Sequence, residues 1–297
     1  MSKRKGLCCA MIVLLLWSQA PIVIKYLSSY FDVNTQNFFR YTFAGLFLLI
    51  VNYRYILNDI HKLKVRSLLL PSIFLFLYQT SFVSGLYLTT ATIASLLLKL
   101  NVISTSLLAY AFFEDERRIV TSKEFILGTT FALVGAVMIV ITTGESPSLS
   151  NANVVGSLLV ILGDILWSLY LITVKIQLKN VEPQTLSSLL ITIAGLLFFP
   201  ITLVKGSIKK VIIAPLVITL LMVISGIAFV GIGNLLNYIA IGELGVAIPS
   251  ALQLASPLLT AISSMVVFNE SMTLSKVVSG FLIMLGCSII VLSARGK

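Results

Sequence analysis

Apolar stretches of about twenty residues recur along the whole chain, divided by short polar breaks. Each is long enough to cross about 30 Å of hydrocarbon as a helix. The pattern predicts ten spans, at roughly 6–26, 36–53, 67–87, 91–113, 124–143, 154–176, 184–204, 212–240, 246–268 and 276–294. The most polar separators are 52–66, 114–123 and 144–153. The last of these, GESPSLSNAN, carries the Gly, Pro, Ser and Asn of a linker and no basic residue. Barrel strands would alternate and be shorter. Backbone in lipid must satisfy its own hydrogen bonds, so a helix bundle is the expected architecture.

The first span is written twice. GLCCAMIVLLLWSQAPIVIK from Gly6 to Lys25 returns as GSLLVILGDILWSLYLITVK from Gly156 to Lys175. Gly6, Leu16, Trp17, Ser18, Ile22 and Lys25 meet Gly156, Leu166, Trp167, Ser168, Ile172 and Lys175 at one constant offset, and the chain has no other tryptophan. Aligning Glu114 with Glu270 puts Ala91 on Ala247 and Tyr78 on Asn234, and the following spans each carry a glycine pair, Gly128 and Gly135 against Gly280 and Gly286, whose spacings agree to within a residue. The chain reads as two halves on one plan, 1–145 and 154–297. Five spans per half is odd, so the second half enters the membrane upside down. The expected fold is therefore an all-α membrane protein with ten transmembrane helices in two inverted five-helix repeats. The duplication also argues against a cleaved signal, although Lys3, Arg4, Lys5 and the small-x-small Ser18-Gln19-Ala20 imitate one.

Composition removes whole classes of function. Of 297 residues, 58% are hydrophobic and 11% charged, with a mean hydropathy of +1.05, too little charge for a soluble surface. The net charge of +10 sits in short loops, where topology and lipid headgroups account for it better than nucleic acid does. The lysine and arginine bias places both termini in the cytoplasm, against the opposing vote of Lys205, Lys209 and Lys210. Cys8, Cys9 and Cys287 lie in apolar spans without disulfide or zinc spacing, and reversible acylation of Cys8 and Cys9 is a weak reading. His61, the sole histidine, lies in a basic loop. There is no H-E-x-x-H, no Walker loop, no Ser-His or Ser-Lys pair placed together and no acidic cluster within a span, so no enzyme, no catalytic residue, no metal and no cofactor is expected.

Charges inside a span are costly and call for a reason. Asp164 lies near the middle of the sixth span, and Lys99 at a similar depth in the fourth. The pair is expected to face a central cavity, closing on each other or gripping opposite ends of a zwitterion, with proton coupling at Asp164 as a variant. A closed structural ion pair is the competing reading. Trp167 and Tyr170 follow Asp164 at helical spacing, and an aromatic suits an ammonium group. Trp17 and Gln19 are the first-half candidates; Tyr78, Gln79, Asn234, Asn237, Tyr238 and Gln253 supply neutral polar groups. Packing and interhelical hydrogen bonds compete with substrate contact for all of these. Lys25 and Lys175 are expected to snorkel to headgroups, Arg40 to anchor a shallow helix end in preference to meeting an anion or a phosphate there, and Glu114, Glu243 and Glu270 to be solvated or paired.

With Trp17-Ser18 and Lys25, Arg40 in NFFRYTFAGLFLLI, Ala91-to-Glu114, Trp167-Ser168 with Lys175, and Ala247-to-Glu270 with Pro257, the chain resembles the EamA-type branch of the drug/metabolite transporter superfamily. It departs from that pattern in having Trp-Ser for Trp-Gly, and Asn101 where the second half has Pro257. The resemblance implies an alternating-access carrier in the cell membrane that moves small organic solutes, often outward, amino acids among them. The expected partners are thus a small-molecule substrate, amino acid-like in the favoured reading, and the lipid bilayer, with protons as one option for the coupling ion and a homodimer as one option for assembly. A nucleotide-sugar or phosphate-ester carrier is the alternative, and a non-transporting scaffold or assembly factor the alternative of another class.

Overall fold

The computed structural model describes residues 3–89, 94, 97–142, 151–256, 258–259 and 274–295. Every described element is helical. They are α1 (Lys3–Leu27), α2 (Val33–Val51), α3 (Tyr53–Asp59), α4 (Val65–Leu88), α5 (Asn101–Phe112), α6 (Glu114–Val120), α7 (Lys123–Thr142), α8 (Asn151–Gln177), α9 (Pro183–Lys205), α10 (Lys209–Ile213), α11 (Leu216–Ser225), α12 (Gly233–Leu244), α13 (Ala247–Leu252) and α14 (Leu274–Arg295). A π-helical stretch, Gly226–Ile232, joins α11 to α12. Short 3₁₀ turns stand at Leu98–Leu100 and Gln253–Ala255.

α1, α4, α8, α9 and the run from Leu216 to Leu244 are each long and apolar enough to cross a membrane. α2 with its bent extension and α6 with α7 pass the same test as pairs, with bends of 78° and 63°, and Leu98–Phe112 and Val277–Leu292 are shorter apolar helices. Large side chains such as Val204, Ile212, Leu216 and Leu274 stand exposed, as expected of a surface solvated by lipid rather than water. This is a multi-pass helical membrane protein. The expected ninth span, 246–268, is described only in its first part; Pro257 and Glu270 lie outside the described residues, as does Ala91. The eighth span is not the continuous helix expected, because Pro215 starts it and the π-helical stretch interrupts it.

The packing repeats as the sequence does. α1 lies along α12 and α8 along α4; α5 meets α8 and α13 meets α1; α2 pairs with α9 and α7 with α14. Exchanging the halves maps this pattern onto itself. The closest approaches use glycine, as the spacing predicts. A Cβ on Gly85 would lie 2.6 Å from the Gly156 carbonyl, and one on Gly128 would lie 2.7 Å from that of Gly286. The duplicated offset also runs on into α2 and α9, where Asp32, Thr35, Thr42 and Ala44-Gly45 match Glu182, Thr185, Thr192 and Ala194-Gly195.

α2 and α9 are tied at both ends across the halves. Asp32 caps α2 by accepting from the Thr35 amide at 2.9 Å, and it also accepts from the Ser207 amide beyond α9 at 3.0 Å. At the other end Asp59 accepts from the Glu182 amide at 3.0 Å and the Thr185 hydroxyl at 3.3 Å, so it occupies the N-terminus of α9, where donors have no helical acceptor.

Candidate functional site

The two repeated tryptophans meet. Trp17 and Trp167 pack edge to face with ring centroids 5.4 Å apart. Because they hold equivalent places in the two halves, their contact marks the line about which the halves exchange. Tyr78 lies 4.7 Å and Tyr170 5.1 Å from Trp167, and the Tyr170 and Tyr238 hydroxyls touch. α1, α4, α8 and α12 thus each give an aromatic ring to one cluster. The Trp17 indole donates to the Phe229 carbonyl at 2.9 Å and the Asn234 amide to Val230 at 2.8 Å. Both carbonyls belong to the π-helical stretch, whose widened turn suits such side-chain partners. Gln19 donates to Ser18 on its own helix.

Asp164 stands one turn before Trp167 and is 2% exposed. Its Oδ2 accepts from Ser104 at 3.3 Å, and Ser104 and Thr105 in turn share hydrogen bonds with Ser168. Its Oδ1 is buried and has no hydrogen-bond partner among the described residues. Lys99 does not pair with it. The ammonium hydrogen-bonds the Gln253 carbonyl at 3.1 Å and the Ser256 hydroxyl. It thereby joins the 3₁₀ turn of the fourth span to that of the ninth, beside its own repeat counterpart, Ala255. Lys99 and Asp164 remain within electrostatic reach of each other, but of the two readings offered for the pair, the closed ion pair is not what forms. Gln253 contributes its main chain here rather than its side chain.

A second polar cluster lies between α2 and α4. Tyr41 donates to Gln79 and Gln79 to Asn37, each at 3.3 Å. One turn from Asn37 is Arg40, 1% exposed, which the sequence pattern reads as a shallow anchor. Its Nε and Nη1, with Nδ2 of Asn37, are buried donors without acceptors among the described residues. Tyr78 lies within electrostatic reach of both Arg40 and Asp164. Asn237 has a similarly unpartnered Nδ2.

The model of the EamA-like transporter family matches residues 4–141 and again 154–292. The chain belongs to the EamA-like transporter family. Among curated relatives it is 23% identical to an uncharacterized transporter of Haemophilus influenzae, over 96% of both chains, and 25% identical to the uncharacterized transporter YyaM of Bacillus subtilis, over 92% of this chain and 87% of that one. A solved crystal structure shares the fold with a TM-score of 0.82 at 18% identity, over 100% of each chain. As an EamA-family transporter the chain acts on a small-molecule substrate within a lipid bilayer, which is the frame for the two clusters above.

The lysines that end the first span of each EamA repeat do not snorkel. Lys25 donates to the carbonyls of Leu86, Tyr87 and Thr89 at 2.8–3.2 Å and so closes the C-terminus of α4, a favourable place for a cation. Lys175 pairs with Asp115 at 2.7 Å and Glu116 at 2.8 Å. Glu116, fully buried, also accepts from the amides of Val246 and Ala247 at 2.6 and 3.0 Å, capping α13. Gly245, at φ 82°, turns the chain over this carboxylate, and a Cβ there would meet it. A vestibule of about 150 Å³ opens beside the cluster, lined by Lys3, Asp115, Lys175 and Glu243 among others. Glu116 was not singled out by the sequence, which shows three adjacent acids in a charged loop. Glu114, first residue of the polar separator after the fourth span, begins α6.

Proposed function

We propose that this chain is an alternating-access carrier whose substrate sits against the Trp17–Trp167 pair, and that it exports small zwitterionic metabolites of the amino acid type across the cell membrane. Its two five-helix units, 1–145 and 154–297, rock against each other with both termini cytoplasmic. The observation that carries this reading is Asp164. It is a buried carboxylate with one oxygen unsatisfied, beside an aromatic cluster, where the first half carries the buried Leu14. An apolar residue serves the fold at that position, so the acid answers another need. An ammonium group supplies the missing donors and the rings favour it further. The same carboxylate is the place where a coupling proton would reside.

Proteoliposomes screened for flux of amino acids and related metabolites, with and without a proton gradient, test this. At least one zwitterion is expected to move, and Asp164→Asn to lower its flux about tenfold or more, as one charge-assisted contact implies. Unchanged flux in Asp164→Asn would sink the assignment.

A further inference from the structure

Arg40 is a buried cation with no hydrogen-bond or ion-pair partner among the described residues. Among the described residues the other buried or part-buried lysines of the spans are all engaged: Lys25 by carbonyls, Lys99 by the turn of the ninth span, and Lys175 by two carboxylates. Arg40 has none of these. Two of its nitrogens are shut away from solvent without an acceptor, and Asn37, one turn earlier on α2, carries a third unpartnered N–H donor. The orientation of the Asn37 amide follows from its neighbours, since its oxygen is taken by Gln79, whose own oxygen is taken by Tyr41. Against one unpartnered acceptor on this stretch of α2, Gln36 Oε1, stand three unpartnered donors and one full positive charge.

Such an arrangement is expensive for a fold to keep. An uncompensated buried charge destabilises by several kcal/mol, and a guanidinium cannot shed its proton to escape. The fold does not require it. The constant offset of the duplication puts Leu190 opposite Arg40, and Leu190 is fully buried in the same class of site in α9. α2 is moreover pressed against the π-helical stretch at this level, where a Cβ on Gly226 would lie 2.5 Å from the Arg40 carbonyl. The backbone of α2 is thus packed tightly at Arg40, and the side chain is buried. The departure from symmetry matches that at Asp164, whose counterpart is Leu14. Each half contributes one charge where its twin carries leucine, and the two signs are opposite.

We infer that Arg40, with Asn37, is the receptor for the carboxylate of the substrate, and that Asp164, across the Tyr78–Trp167 rings, receives its ammonium. The inference rests on the carrier reading above and extends it by naming which cation faces the substrate: Arg40, and not Lys99, which is committed to holding the fourth and ninth spans together. A guanidinium fork suits the two oxygens of a carboxylate. A phosphate ester, carrying about two charges, would call for further cations, and the cluster offers a single one.

The chain's two tryptophans both stand in the candidate site, so their fluorescence reports binding directly. Purified wild-type protein, Arg40→Leu, Arg40→Lys and Asp164→Asn are titrated with zwitterionic amino acids, with the amines that lack their carboxylate, and with a sugar phosphate, and are tested for flux in proteoliposomes. Arg40→Leu copies the second half, and is expected to fold with an unchanged or raised melting temperature. It should weaken amino acid binding about 30-fold or more while leaving amine binding within about twofold, and Arg40→Lys should recover part of the loss. Asp164→Asn should weaken amine and amino acid alike. Equal loss of amine and amino acid binding in Arg40→Leu, or tighter wild-type binding of the sugar phosphate, overturns the inference and leaves the carrier reading in place. A wild-type protein that binds and moves none of these solutes overturns both.

Discussion

Lys25 and Lys175 occupy the same position in the two halves and are satisfied in opposite ways. Lys25 donates to three neutral carbonyls of α4 and its connection, all within the first half. Lys175 meets two carboxylates from the other half, and one of them, Glu116, reaches back to cap α13 in the second. One contact is internal to a five-helix unit and survives any rigid movement of that unit. The other crosses between units and must break if that end of the bundle opens. The duplicated sequence thus keeps a lysine at both ends, but only Lys175 forms an ion-paired contact between the halves.

The sharpest way to break this comparison is at Glu116. Glu116→Ala strands the Val246 and Ala247 amides and leaves Lys175 with the exposed Asp115 alone. Removing one partner of a buried ion pair costs about 3–5 kcal/mol, so the melting temperature in detergent should fall steeply, and amide exchange should rise at 246–247. Combining Glu116→Gln with Lys175→Met, which removes the charge on both sides, should recover much of the loss. Exchange at 246–247 that does not change in Glu116→Ala would remove the lock from the account.

Lys25→Met is the matched test at the other end, and a smaller effect is expected. The carbonyls it leaves are those of a helix C-terminus, which lack helical donors in any case, and no charge is orphaned. A loss of about 1–2 kcal/mol follows, with flux largely kept. A loss equal to that of Glu116→Ala would mean that the two ends do not differ in the way described.

These contacts also show what a sequence can and cannot disclose. The helical spans, the duplication and the meeting of α7 with α14 through glycine follow from spacing, because period, length and small residues act locally. Asp164 stood out because no span tolerates an acid without cause. Arg40 did not, because counting from the expected start of its span at 36 makes it shallow; the helix begins at Val33, and the π-helical stretch that buries it belongs to a span almost two hundred residues away. Lys99 looked like a partner for Asp164 by depth alone, and the 3₁₀ turns that commit it to the ninth span have no periodic signature. Glu116 differs from Glu114 and Asp115 only in which way a short helix faces after a bend. Depth can be counted along a sequence, but direction around the helix and the identity of the neighbour are set by tertiary packing.

The smallest effect sharpens the contrast at the Lys175 end, where Asp59 forms a second tie between halves. Burial alone would raise the pKa of this carboxyl, but the Lys62 ammonium, the Glu182 amide and the Thr185 hydroxyl more than offset that, and hold it below the usual carboxylate value. A group depressed in the folded state stabilises fully above its unfolded value near 3.9 and loses that contribution as pH falls through the depressed value. Lys62 is half exposed and adds little, so the tie is worth about 1–2 kcal/mol through the α9 cap. Asp59→Ala should therefore lower the melting temperature modestly at neutral pH. The gap to wild type should stay constant down to about pH 5 and narrow below about pH 4. Asp32→Ala, which removes the equivalent tie at the Lys25 end, is the control. A gap for Asp59→Ala that widens on acidification would show that the carboxylate does not cap α9, and that Glu116 alone distinguishes this end of the bundle.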